Sequence, residues 1–127
     1  VYASVKGCPR GLGSFMEYDR RLGGIIGGAV MSIQGVKEVS IGNPFSNLTG
    51  FSYHDGITYE EGKLTRTSNH AGGIEGGITN GENIEVYCYM KPIPSMLLKL
   101  PSVDLFKKEK TVSRYYLNFN IFFVYLD

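Results

Sequence analysis

The spacing of apolar and polar positions changes along the chain, and each change predicts an element. Val1, Ala3 and Val5 alternate with Tyr2, Ser4 and Lys6, which predicts a half-buried strand stopped by Gly7-Cys8-Pro9. After a loop through Gly11 and Gly13 the period shifts. Leu22, Ile25, Ile26, Ala29, Val30 and Ile33 fall three and four apart, the spacing of one helix face, and Asp19 is placed to cap that helix. Gly23, Gly24, Gly27 and Gly28 lie within it, each costing about 1 kcal/mol relative to alanine, so the helix is expected to depend on packing against its faces.

Val36 to Ile41 reads as a short strand closed by Gly42-Asn43-Pro44, and Phe45 to Gly56 as a long turn-rich loop. Ile57 to Arg66 predicts a hairpin around Glu61-Gly62. The glycine cluster Gly72-Gly73-Ile74-Glu75-Gly76-Gly77 then leads to a turn at Asn80-Gly81. The clearest strand is Ile84 to Met90. Ile84, Val86, Cys88 and Met90 face one way, Glu85, Tyr87 and Tyr89 the other, and Pro92 and Pro94 stop it. From Tyr115 to Asp127 the character changes: six of 13 residues are Tyr or Phe, and no charge precedes Asp127.

Composition narrows the classes of function. With 13 Lys+Arg against 12 Asp+Glu the formal charge is +1, without the basic footprint that nucleic acid binding requires. The longest apolar run, Leu22 to Ile33, has 12 residues including Ser32, too few for the ~20 of a membrane span. No charged-then-apolar leader is visible at Val1, and two cysteines, Cys8 and Cys88, form neither a disulfide framework nor a zinc spacing; a cytoplasmic protein with reduced thiols is expected.

Chemistry has few carriers. His54 and His70 lie in no metal or triad spacing, so both read as surface or structural residues and no catalytic residue is assigned. Glycine supplies 17 of the 127 residues, about twice the usual share, largely in doublets. Such doublets let backbone N–H groups approach a flat or anionic ligand, so Gly72 to Gly77 followed by Lys91 forms a possible cofactor cradle; two tight turns flanking a strand is the competing reading.

The order of short motifs is more specific. Gly11-Leu12-Gly13-Ser14, Asp19-Arg20-Arg21-Leu22, Met31-Ser32-Ile33 and Val39 to Gly42 are followed by the run from Ser68 to Glu82 with its glycine cluster, then by Met90-Lys91-Pro92-Ile93-Pro94 and Ser102-Val103-Asp104-Leu105. In that order and with those gaps, residues 1 to 115 resemble chorismate synthase, and residues 116 to 127 form a divergent aromatic tail.

The resemblance implies an α+β fold, part of a β-α-β sandwich, in a cytoplasmic homotetramer. It implies the shikimate-pathway lyase reaction, a 1,4-elimination converting 5-enolpyruvylshikimate 3-phosphate to chorismate and phosphate, with reduced FMN required and no net redox change. By position it puts flavin contacts at Gln34, Gly35, Gly76, Lys91, Pro92, Ile93, Pro94 and Ser95, although Gln34-Gly35 stands where the family usually has Asn-Ala or Pro-Ala. The family's Gly-Glu-Ser-His, Ser-Ala-Arg and Glu-Arg-Ser-Asp motifs and its second catalytic histidine have no counterpart in these residues. The alternative is an inactive truncated fragment that keeps only a flavin-binding or subunit-interaction role.

Overall fold

The computed structural model describes residues 1–43, 48–92 and 97–113. Two compact units divide the chain, Val1–Lys91 and a second beginning at Pro92. The fold is α+β. In the first unit, β1 (Tyr2–Val5), β2 (Val36–Ile41) and β7 (Ile84–Met90) form one antiparallel sheet in the order β1-β7-β2. The alternation read in β7 sets the register. Val86 pairs with Ala3 on one side and Ile41 on the other, so Ile84, Val86, Ile41 and Val39 share a face. Tyr87 pairs with Tyr2 and Ser40 on the opposite face.

Helix α1 (Leu22–Met31) packs on β2, and the buried apolar residues are Val36, Ile84 and Val86. Three differences from the expectations are physical. β1 forms, but all four of its residues are exposed, because α1 packs on β2 at the opposite edge of the sheet. The helix is shorter than its apolar period, and Asp19 does not cap it. Asp19 lies in a 3-10 turn (Tyr18–Arg20), the chain is extended at Arg21, and the first helical amide, Leu22 N–H, donates to the Gly77 carbonyl at 3.0 Å. A neighbouring loop therefore satisfies the amide that a side-chain cap would have served. Finally, no residue of α1 is buried: Gly27 and Gly28 meet nothing within 4 Å, and Ile25 is half exposed. Among the described residues, only one layer of a β-α-β sandwich covers the helix.

The other elements are small. A single helical turn, α2 (Gly50–Tyr53), interrupts the long loop; β3 (Ile57–Glu60) and β4 (Lys63–Arg66) make the expected hairpin. The glycine cluster forms a hairpin that alternation could not reveal, β5 (Ile74–Glu75) and β6 (Ile78–Thr79). Gly76 and Gly77 occupy its two-residue loop with φ of +60° and +89°, the geometry of a type I′ turn. In the second unit, β8 (Pro101–Asp104) and β9 (Glu109–Val112) form a hairpin. The aromatic tail lies outside the described residues. No helix among the described residues is long and apolar enough to cross a membrane.

Candidate functional site

Of the residues expected to contact flavin, Gly35 and Lys91 come together. Val36 N–H donates to the Ile33 carbonyl across a turn whose third position is Gly35 at φ +91°, a conformation that suits glycine. The Gly35 carbonyl then accepts from the Lys91 N–H at 2.8 Å. Gln34 and Lys91 are both exposed at this corner, beside the last residue of β7. Pro92 is described as an exposed residue; Ile93, Pro94 and Ser95 lie outside the described residues.

Gly76 stands elsewhere. Its hairpin abuts the start of α1, where Gly77 accepts from Leu22, whereas Gly35 lies beyond the end of that helix. A helix of 10 residues is about 15 Å long. Strand β7 is a second ruler: Glu85 N–H donates to the Gly72 carbonyl, and Lys91 is six residues further on, about 20 Å along the strand. The two groups of expected contacts therefore sit at opposite ends of the first unit. Gly76 has positive φ and open space where a side chain would stand, so its backbone is accessible to a ligand.

Gly72 and Gly73 serve a different need. A Cβ on Gly72 would lie 2.2 Å from the Gly42 nitrogen, and one on Gly73 would lie 2.5 Å from the Asn83 carbonyl oxygen. Here two stretches of backbone cross in contact. Gly42 N–H donates to the Glu85 carbonyl at 2.8 Å and Asn43 N–H to the His70 carbonyl at 3.0 Å. Within the cluster, then, the first doublet packs backbone on backbone, while Gly76 faces open space.

Sequence reasoning missed the most elaborate polar cluster. Asp55 has a side chain only 1% exposed, yet its carboxylate accepts from Ser68 Oγ (2.6 Å), His70 N–H (2.8 Å), His70 Nδ1 (3.0 Å) and Ala71 N–H (2.9 Å). Burial pushes its carboxyl pKa up, but the hydrogen bonds from Ser68, Ala71 and His70 and the charge of the His70 ring outweigh it and hold the group below its usual value. With Nδ1 donating to Asp55, the His70 ring is fixed at one edge and stacks on Tyr53 at 5.9 Å. His70 is thus tied into the fold by its ring as well as by its backbone amide. Asp55 and His70 are 15 residues apart in irregular segments, and no periodicity links them.

Two other networks support the same region. Arg66 Nη2 lies 2.6 Å from Glu75 Oε2, which also accepts from Asn80 Nδ2 at 2.8 Å. Thr79, 1% exposed, donates from Oγ1 to the Pro9 carbonyl at 2.6 Å and accepts from the Leu12 N–H at 3.0 Å. An open depression of ≈ 380 Å³ lies between Arg10 and the β3–β4 hairpin, and a second of ≈ 630 Å³ lies beside α2 and His54. None of the expected flavin residues lines either. Among the described residues, no group of three His, Cys, Asp or Glu could hold a metal ion.

Comparison with known proteins accounts for the motif order. The chorismate synthase family profile matches residues 1–116. The chain is 47% identical over 116 residues to the chorismate synthase of Clostridium tetani, covering 91% of this chain and 30% of that one. It is 46% identical over 109 residues to the chorismate synthase of Gloeobacter violaceus, covering 84% and 28%. A solved structure titled "Crystal Structure of Chorismate Synthase" superposes with a TM-score of 0.69 at 46% identity, over 74% of this chain and 29% of that one. The chain therefore spans about 30% of the length of the relatives it matches. With the profile covering nearly every residue before the aromatic tail and the fold agreeing, this chain belongs to the chorismate synthase family.

Proposed function

We propose that the polypeptide carrying this sequence is a chorismate synthase: a lyase that converts 5-enolpyruvylshikimate 3-phosphate to chorismate and phosphate with reduced FMN bound, in the cytoplasm, as a homotetramer. The observation that carries this reading is the 47% identity sustained over 116 residues, which runs through both the Gly35–Lys91 corner and the glycine hairpin. Identity at that level across separate motifs favours the enzyme over an inactive remnant.

The residues present fit a flavin. At one end the Gly35 turn and the exposed Lys91 would hold it, with Gln34 beside them; Lys91 would offset flavin or phosphate charge. At the other end the open backbone of Gly76 allows close approach of a planar ring or its substituents. Pro92, Ile93, Pro94 and Ser95, which follow Lys91 in the sequence, are included as flavin contacts on the resemblance alone. When bound, reduced FMN supplies the redox cofactor that the elimination requires without net oxidation or reduction. This chain's own part is to bind and orient: the Lys91 amide is fixed to Gly35, and the glycine hairpin is held by Arg66 on Glu75 and by the Leu22 N–H on the Gly77 carbonyl. The acids and bases of the reaction are assigned to none of these residues.

The test is an anaerobic assay of the intact polypeptide with 5-enolpyruvylshikimate 3-phosphate and reduced FMN. Chorismate and phosphate are expected in equal amounts, and neither when reduced flavin is omitted. Absence of both products with reduced flavin present overturns the proposal.

A further inference from the structure

We propose that Asp55 is a positioning residue for the ligand-facing glycine hairpin, setting the place of Gly76 through a buried clamp on residues 68–71. This inference rests on the reading of Gly76 as a flavin contact. Four hydrogen bonds converge on one carboxylate, all from the segment that leads directly into Gly72. Two of the donors are consecutive backbone amides, His70 and Ala71. Holding both fixes the direction in which the chain enters the glycines. Asn69 continues the tie, accepting from the Gly73 N–H at 3.0 Å and donating to the Asn83 carbonyl at 2.9 Å.

Gly76 cannot position itself. A Cβ on it would meet nothing within 4 Å and both loop residues have positive φ, so its place is inherited from the two strands of its hairpin and from Gly77, whose carbonyl accepts from the Leu22 N–H. The incoming strand is reached through the Asp55 clamp, and the loop's flank is held by Arg66 on Glu75. Asp55 itself immediately precedes the β3–β4 hairpin, and the Arg66 Nη1 donates to its carbonyl at 3.3 Å. The β3–β4 hairpin and the residue before it thus hold both the segment entering the glycines, through Asp55, and the glycine hairpin itself, through Arg66 on Glu75. Asp55→Asn keeps the shape but replaces an acceptor oxygen with an NH₂ group facing backbone N–H donors, so the clamp loses at least one bond and gains a repulsive pair.

The experiment uses the intact polypeptide with FMN itself as the probe. Amide hydrogen exchange is followed over residues 68–77, and FMN affinity and the visible difference spectrum of bound flavin are measured for wild type, Asp55→Asn and Val86→Ala, the last a destabilising core control. In Asp55→Asn, exchange at residues 72–77 is expected to quicken and FMN affinity to fall about tenfold, the equivalent of about one net hydrogen bond. The flavin spectrum is expected to shift in that variant alone. Ser68→Ala, which removes a single bond of the clamp, is expected to give a smaller change in the same direction and serves if Asp55→Asn does not fold. Wild-type exchange at 72–77 in Asp55→Asn, or affinity and spectrum no different from Val86→Ala, overturns the positioning role alone. A wild-type protein that binds no FMN overturns the flavin reading, and this inference with it.

Discussion

Replacing Gly72 with alanine tests whether the glycine cluster is fastened to the sheet by direct backbone contact. Two costs can be worked from the structure. Gly72 has φ +61°, where an alanine costs about 1–2 kcal/mol for its Cβ alone. The new Cβ would also lie 2.2 Å from the Gly42 nitrogen and 2.4 Å from its Cα, both backbone atoms that cannot rotate aside. Overpacking of this kind costs about 1–3 kcal/mol, for a total of about 2–5 kcal/mol. Relief would require the crossing to open, with loss of the Gly42–Glu85 and Glu85–Gly72 backbone bonds. Gly62→Ala is the matched control: its φ is +78° and nothing lies within 4 Å, so it carries only the first cost, about 1–2 kcal/mol. Urea unfolding followed by far-ultraviolet circular dichroism should rank Gly72→Ala clearly below Gly62→Ala. Equal midpoints for the two variants would refute the backbone crossing.

Three further outcomes follow from other contacts. Thr79→Val keeps the volume but removes both bonds of a buried hydroxyl, leaving the Pro9 carbonyl and the Leu12 N–H unpaired; thermal denaturation should show a loss of about 2–4 kcal/mol, and a neutral result contradicts the network. The pKa of Asp55 is depressed in the folded state, so its contribution to stability is present above the ordinary value of 3.8 and is lost as pH falls through the lower, folded-state value. The stability of Asp55→Asn should therefore fall less steeply in acid than that of wild type, and parallel acid limbs would contradict the clamp. Gly28→Ala should stabilise the protein by about 1 kcal/mol through helix propensity, since nothing lies within 4 Å of the added carbon; thermal denaturation should show the gain, and a loss of stability would contradict an open face at Gly28.

Legibility in the sequence tracked side-chain periodicity. Strands β2 and β7 fall where their apolar positions put them, with residues of each buried against a neighbour, and the β3–β4 hairpin falls where its Glu61-Gly62 turn puts it. The β5–β6 hairpin was hidden by its glycines, which have no side chains to alternate, and the helix cap was misread because a carbonyl 55 residues away in sequence replaced Asp19. The motif words proposed Gly35, Gly76 and Lys91 as flavin contacts through resemblance, and the structure shows that Gly35 and Lys91 meet. The Asp55 clamp could not be read in advance: its members come from two irregular segments, and a carboxylate beside His54 resembles any loop acid until burial and four donors are seen together.

The central claim is that the Gly35–Lys91 corner and the glycine hairpin belong to one flavin site in the intact protein. Amide hydrogen exchange of the intact polypeptide, measured with and without saturating FMN, tests it most directly. The account predicts slowed exchange in two separated segments, around Gly35 and Lys91 and around Gly76, with β3 and β4 unchanged. Absence of protection at either segment, with FMN bound, would contradict it.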